Sequence, residues 1–431
     1  MGSRVFRRRA ATAVATYGAT VLGIVTVAAA TRLLGDYRFG LLAIVLAAVA
    51  FFQLLADSTV EEAVVKYGFR YVAEERWGRL RRLFAVALAA KWAGAGVAAA
   101  LVLVVAPFAD SIFNADGLLA PMLLGALVPL VQAPEAVAGA ALLVRGRYDL
   151  RAWFFVVSMA LRLAGVAIGA SYGVPEAVLG YVAAQALASS AIVVAGLAAL
   201  RRFPAAPAER LAEDARGIRR FVVNSAAGSG LVSLRTTLAP LGLGIVSNPF
   251  QVGYFRTAQA PITGFAALSS PVRLIMLTEQ TRDVESGRDD LLWRSLRRYS
   301  LGAALLLVPA LPVAWLLMPW AVPFVFGSDF EAAVEPARVL LLAASIQLVL
   351  GWTKSLPVSV GRPGLRIVAH GIETAVLLPL VLVLGARWQA TGAAVAYLAA
   401  TCAFALTWLV LLARLRGRPL SPAGAKELAA P

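Results

Sequence analysis

Four basic residues sit inside long apolar stretches: Lys91, Arg162, Arg235 and Arg273. A base near the middle of a membrane-spanning helix costs roughly 2.5–3.5 kcal/mol on insertion scales, so each needs a wet or paired environment. A guanidinium stays charged at any ordinary pH and presents a planar fork that matches the oxygens of an anion. Several such groups facing one aqueous cavity would attract an anionic ligand rather than a cation. Lys91 and Arg273 lie nearer the ends of their stretches, where a long side chain can reach the interface. Arg162 and Arg235 lie nearer the middle. The acids and amides in comparable positions are Gln53, Asp57, Gln132, Glu135, Gln185, Gln259, Gln347 and Glu373. Glu135 follows Pro129 and Pro134, which predict a kinked helix with backbone groups freed toward a cavity. The glutamines read best as hydrogen bonds between helices. Asp57, Glu61 and Glu62 adjoin a basic connection and suit ion pairs with it. His370 and Glu373 are three residues apart, hence on one helical face, and form a protonatable pair. Their closeness to Arg366 equally suits a pair at an interface.

The elements that must position these groups are long apolar helices. Of the 431 residues 60% are hydrophobic and only 15% are charged, with a mean hydropathy of +0.78. A soluble domain carries about 45–50% apolar and about 25% charged residues, so a water-soluble core is excluded. In lipid every backbone N–H and C=O needs a partner within the chain, which makes the apolar runs helices. About twelve spans are predicted, at roughly 10–34, 39–65, 83–107, 118–144, 152–172, 175–200, 221–246, 252–278, 299–319, 331–357, 367–385 and 388–413. The first run is too long for the apolar region of a cleaved signal, about 7–15 residues, and reads as a retained span. The net charge of +16 would ordinarily suggest nucleic acid, but the arginines fall in short gaps between apolar runs. Alternate connections are arginine-rich, as at Arg76, Arg79, Arg81 and Arg82 or at Arg201, Arg202, Arg216, Arg219 and Arg220. The others, such as 35–40 and 247–251, are short and poor in base. By the positive-inside rule this predicts a multi-pass protein of the cell (cytoplasmic) membrane with both termini cytoplasmic. The lone cysteine, Cys402, lies in an apolar run and excludes an intrachain disulfide or a cysteine-based metal site.

The most polar connection, 201–220 (RRFPAAPAERLAEDARGIRR), divides the spans evenly. The expected organisation is a six-helix lobe over 1–200, a cytoplasmic linker over 201–220, a second six-helix lobe over 221–415 and a cytoplasmic tail over 416–431. The two halves begin alike. TRLLGDYRFGLLAIVLAA from Thr31 and LGIVSNPFQVGYFRTAQA from Leu243 both end a span in a short polar turn, then place an aromatic and a glycine before a new span. Repeated halves with a ligand held between them are common in secondary transporters.

Several segments, in order along the chain, carry a resemblance. Residues 31–40 (TRLLGDYRFG) are similar to the R-x-L-G-x-x-x-x-G signature of polysaccharide-biosynthesis flippases, whose superfamily also includes multidrug exporters and lipid II flippases. Asp57 is similar to that family's acid near the end of the second helix. Residues 252–254 (VGY), 326–332 (FGSDFEA) with Ala337, 361–364 (GRPG) and 388–397 (WQATGAAVAY) resemble family patterns before or within the eighth, tenth, eleventh and twelfth helices. One departure stands out: many relatives carry an Asp in the seventh helix, where this chain has SLRTT with Arg235. The resemblance implies an all-α fold of twelve transmembrane helices in two six-helix lobes around a central cavity. It also implies transport of a polyprenyl-pyrophosphate-linked oligosaccharide between leaflets.

On that reading Arg162 and Arg235 would contact the pyrophosphate, and Lys91 and Arg273 would draw it in. Glu135, Asp57, Glu373 and His370 would be coupling or cavity groups. No cofactor or metal is expected. The expected partners are the lipid-linked oligosaccharide, membrane lipids and the glycan polymerase or glycosyltransferases of the same pathway, and not nucleic acid. Three other functions are compatible with the spans. An exporter of small organic cations should carry acids in its cavity, whereas the mid-span charges here are mainly basic. A membrane polymerase or ligase needs a long outer loop, and the base-poor connections are about a dozen residues or fewer. The chain has no metalloprotease, P-loop or Ser-His-Asp pattern. A non-transporting scaffold would have the same spans.

Overall fold

The computed structural model describes residues 2–56, 59–211, 214–362 and 364–416. Asp57 and the side chains of Arg235 and Arg273 lie outside the described residues. Among the described residues all regular structure is helical, and the chain forms two compact units.

The first unit comprises Met1–Thr237 and Asn248–Gly253. It contains α1 (Gly2–Ala56), α2 (Val60–Ala73), α3 (Trp77–Val105), the short α4 (Ala109–Ile112), α5 (Leu119–Gly125), α6 (Leu127–Val144), α7 (Tyr148–Ala170), α8 (Val174–Arg201) and the first part of α9 (Ala215–Val246). The second unit comprises Leu238–Ser247 and Tyr254–Pro431. It holds the end of α9, the second half of α10 (Pro249–Ala258), then α11 (Ala260–Glu285), α12 (Asp289–Phe326), α13 (Val334–Val349), the short α14 (Leu356–Ser359) and α15 (Gly364–Arg416). Its core packs Leu292, Leu296, Trp352, Phe404 and Trp408 together, with the two indoles edge to face at 5.5 Å.

Among the described residues, eight helical stretches are long and apolar enough to cross a membrane. The two longest, Tyr17–Ala56 and Gly364–Arg416, far exceed the about 20 helical residues that a bilayer core of about 30 Å needs. Both are broken inside. Gly35 (φ 73°, ψ 179°) interrupts α1, in a conformation that only glycine adopts without strain. Gln389 (φ 55°, ψ −132°) interrupts α15. Each therefore supplies two spans. With α9 and α11 the described residues give about twelve, in a multi-pass membrane protein. The proline-driven break lies earlier than Glu135. Pro129 cannot donate to the Gly125 carbonyl four residues back, and the helix divides at Ala126 into α5 and α6. Pro134 lies inside α6.

Lipid gives helices no hydrophobic reason to associate, so close packing has to hold them. The α7–α8 pair shows how. α7 carries GVAIG at 165–169, and its glycines lie on the backbone of α8. A Cβ added at Gly165 would stand 2.2 Å from the Gly180 carbonyl oxygen, one at Gly180 would stand 2.0 Å from that of Gly165, and one at Gly169 would stand 2.1 Å from that of Glu176. A second backbone contact involves the two turns whose sequences match between the halves. Tyr37 meets Phe250 with ring centroids 5.0 Å apart, and a Cβ on Gly40 would strike the Pro249 carbonyl at 1.9 Å. When Gly40 is aligned with Gly253, Asp36 aligns with Pro249, and a Cβ on Gly253 would in turn lie 3.0 Å from the Asp36 carbonyl. The contact is thus reciprocal.

Residues 203–211 and Asp214 of the polar connection pack onto α2 and α3. Phe203 stacks on Trp77 at 5.6 Å, the Glu209 N–H donates to the Gly78 carbonyl (3.2 Å), and Asp214 accepts from the Tyr71 hydroxyl at 2.8 Å. Arg70 and Arg79 flank the same carboxylate at 3.2 and 3.4 Å. Burial, reinforced by the hydrogen bond to Asp214, pushes the Tyr71 hydroxyl well above its ordinary value of 10.0. Tyr71 thus stays protonated in the folded state where the unfolded chain would ionise it, so its contribution to stability is present below pH 10 and lost as pH rises further. Alkaline unfolding followed by circular dichroism should show a loss that Tyr71→Phe abolishes, at the expense of lower stability at neutral pH. Gly165→Ala should destabilise the protein by about 1–3 kcal/mol through overpacking, read as a lower melting temperature in detergent, whereas Gly96→Ala, whose Cβ meets open space, should not.

Candidate functional site

The packing of α7 on α8 fixes which polar groups meet. Arg162 lies three residues before Gly165, on the face of α7 that the glycines press against α8. Its Nε donates to Gln185 Oε1 on α8 at 2.7 Å, and its guanidinium lies over the Tyr181 ring at 5.3 Å. The Gln185 amide passes the contact on, donating to Glu135 on α6 and to Ser189 Oγ at 2.9 Å. Ser189 Oγ in turn donates to Glu135 Oε2 at 3.3 Å. A second branch runs from the Tyr181 hydroxyl, which accepts from Gln132 Nε2 (3.3 Å), to Gln53 Nε2, which donates to Gln132 Oε1 (2.9 Å). Four helices, α1, α6, α7 and α8, are thereby joined by side chains that apolar surroundings would otherwise leave unsatisfied.

This network lines a cavity of about 560 Å³ within the first unit. α3 contributes Lys91 and α9 contributes Ser233 and Thr237. Lys91 Nζ lies 2.8 Å from Glu61 Oε2, at the start of α2. Glu61 therefore pairs inside the cavity rather than with the basic connection, because α2 begins beside it. Arg151, which sequence alone assigns to a basic connection, also lines the cavity. It sits in the first turn of α7, against Gly139 of α6, where an added Cβ would stand 3.4 Å from its Nε. Its spacing carried the signal: Arg151, Phe155 and Arg162 are four and seven residues apart, which places them on one helical face. Neither Arg151 nor Arg162 has a carboxylate within ion-pair distance among the described residues. Glu61 and Glu135 act on Arg151 across the cavity, but neither guanidinium is held in a direct ion pair among the described residues.

The structure brings Lys91, Arg162 and Glu135 together. The backbone of Arg235 lies on α9 between Ser233 and Thr237, while its side chain, that of Arg273, and Asp57 lie outside the described residues. His370 and Glu373 are elsewhere, in the second unit. Their side chains meet as their spacing predicted, Nδ1 to Oε2 at 2.8 Å, with the imidazole stacked on Phe404 and Glu373 buried. Gln347 of that unit bridges helices by donating to Thr401 at 3.5 Å, and Gln259 accepts from Arg256 at 2.7 Å.

Residues 29–335, well over half of the chain, match the family described as polysaccharide biosynthesis protein. The chain belongs to that family. No curated protein matches it. Three solved structures show where its fold recurs. The lipid II flippase MurJ, in an inward closed conformation, is similar with a TM-score of 0.70 at 12% identity, over 93% of this chain and 87% of that one. A MATE transporter of Vibrio cholerae, VcmN, has a TM-score of 0.63 at 12% identity, over 96% and 97%. A MOP-superfamily transporter from Pyrococcus furiosus, described with a binding pocket of reverse polarity, has a TM-score of 0.55 at 12% identity, over 95% of each chain. The family member described here thus has the fold of MOP-superfamily transporters, with the same all-helical architecture.

Within this fold, Gln185 is the hinge of the polar network. Gln185→Leu preserves bulk but leaves Arg162 and Glu135 without their shared partner, and should lower stability by about 1–3 kcal/mol. Gln53→Leu removes an ordinary bond between helices and should cost only about 0.6 kcal/mol. Thermal unfolding of the two purified variants in one detergent measures the difference.

Proposed function

We propose that the protein is a flippase that moves a polyprenyl-pyrophosphate-linked oligosaccharide from the cytoplasmic to the outer leaflet of the cell membrane by alternating access. The observation that carries this reading is the pair of cavity guanidiniums, Arg151 and Arg162, neither of which is locked in a direct ion pair among the described residues. A pyrophosphate has to cross a low-dielectric layer. Each guanidinium offers it charge-assisted, bidentate hydrogen bonds, and the polyprenyl tail can remain in lipid. Arg162 and Arg235 contact the pyrophosphate, and Arg151 joins them. Lys91 and Arg273 draw the headgroup in. Hydrogen bonding of Arg162 to a neutral amide, rather than to an acid, keeps its charge available while holding its position. Membership of the polysaccharide biosynthesis family supports a glycan cargo, and the likeness to a lipid II flippase supports a lipid-linked one. The arginine-rich connections support cytoplasmic termini. The same pathway's polymerase or glycosyltransferases are the natural protein partners.

Glu135 favours a second reading. It accepts bonds from Gln185 and Ser189 and forms no ion pair among the described residues, so it could serve an organic cation in an exporter of the same fold. The two readings separate cleanly. Purified protein in liposomes is given a fluorescent polyprenyl-pyrophosphate sugar, and leaflet exchange is followed with an impermeant quencher. Arg162→Gln and Arg151→Gln should each lower exchange by about tenfold or more, as the loss of one charge-assisted contact of about 1.5–3 kcal/mol implies. Normal exchange in both variants, or cation export that is lost only in Glu135→Gln, overturns the flippase reading.

A further inference from the structure

A second concavity of the first unit lies apart from the polar cavity. Its volume is about 320 Å³, and α3, α6 and α8 form its walls. Two arginines line it, Arg81 and Arg201; every other lining residue is apolar, among them Phe84, Leu88, Val137 and Leu197. The arginines stand at one end. Arg81 is in the second turn of α3 and Arg201 is the last residue of α8, so both mark the ends of their helices. From Arg81 to Leu88 the groove descends α3 by about 10 Å at the helical rise. That is most of one leaflet of a hydrocarbon core about 30 Å thick. Phe84 and Val137 are buried in its floor, while Ala85 and Leu197 are exposed along helices long and apolar enough to span the membrane.

Among the described residues, the arginines at its mouth have no ion-pair partner. Three carboxylates at this end are engaged by other bases: Glu74 by Arg70 and Arg76, Asp214 by Arg70 and Arg79, and Glu209 by Arg79. Arg81 donates to the Pro204 carbonyl at 3.4 Å, which ties it to the docked connection. Arg145 lies over the Phe203 ring. Among the described residues, Arg81, Arg82, Arg145, Arg201 and Arg202 have no carboxylate within ion-pair distance. An apolar groove of leaflet depth, open along spanning helices and capped by uncompensated guanidiniums, has the polarity of an anionic lipid turned inside out.

We propose that this groove is a binding site for an anionic glycerophospholipid of the surrounding leaflet, with its phosphate between Arg81 and Arg201 and one acyl chain along Phe84, Leu88 and Val137. The site goes beyond the flippase reading and does not depend on it. A free phosphate would leave the groove unfilled. A zwitterionic lipid would bring a cation among five arginines. The bilayer itself supplies a two-part ligand of the right polarity. The bound lipid would hold α3, α6 and α8 together on the side where the connection is docked.

The test uses the full chain in nanodiscs containing equal phosphatidylglycerol and phosphatidylcholine, followed by native mass spectrometry of the released protein. Wild type should retain phosphatidylglycerol selectively. Arg81→Gln with Arg201→Gln should reduce that retention by about thirtyfold, from roughly fivefold for each arginine near an anionic headgroup. Arg82→Gln with Arg202→Gln removes the same charge outside the groove and should change it little. Ala85→Trp keeps both arginines, fills the groove, and should also reduce retention. In wild type alone, phosphatidylglycerol with a photoactivatable acyl chain should label residues 85–88 and 193–197. Equal retention of the two lipids, equal loss in both arginine pairs, labelling confined to other segments, or displacement by polyprenyl phosphate at equimolar amounts each overturns the proposal.

Discussion

The approach of α7 to α8 through Gly165, Gly169 and Gly180 is the contact on which the site depends. Two helices in lipid gain nothing from hiding apolar surface against each other, so they associate by packing and by hydrogen bonds. Glycine lets backbone meet backbone, and the reward is a fixed register. That register sets Arg162 opposite Gln185, one turn further along the same interface. From there the amide reaches Glu135 on α6 and Ser189 on α8. Were the two helices held by larger side chains, Arg162 would have to seek its partner across a wider gap.

The network gives the cavity an unusual electrostatic balance. Lys91 is matched by Glu61. Glu135 is held through amide and hydroxyl groups, and among the described residues neither arginine of α7 forms a direct ion pair, although Glu61 and Glu135 act on Arg151 across the cavity. A buried base is expensive when unpaired, and a direct ion pair would have been the simplest remedy. Solvation by neutral dipoles achieves the same purpose without cancelling the field in the cavity. The difference matters for a ligand. An arginine locked to a carboxylate has to be released before it can bind an anion, whereas one held by an amide is already oriented.

The arginines of the polar end divide in a related manner. Those at 70, 76 and 79 are engaged with Glu74, Glu209 and Asp214 and fasten the connection onto α2 and α3. Those at 81 and 201 stand outside that lattice and cap the apolar groove. Counting basic residues treats these sets as one. Their surroundings make the first a structural clamp and the second a set of exposed charges beside lipid.

By itself, the sequence determined the class and the number of elements. Apolar runs that need internal backbone bonding can only be helices in lipid, and their length sets the count. It also marked Arg162, Lys91 and Glu135 as residues needing an explanation, because charge in an apolar run is costly wherever the chain goes. The spacing of Arg151 from Arg162 was visible too, although the first turn of a helix is hard to tell from a connection when both are basic. What only the tertiary structure decided was partnership. Glu61 turns to Lys91 because α2 begins at the cavity wall. His370 and Glu373 pair in the other unit, and the polar connection folds back onto α2 and α3 through Phe203 and Asp214. The reason is physical. Cost of burial is a property of a residue and its neighbours in sequence, whereas the group that offsets it comes from another helix, and only packing chooses which helix that is.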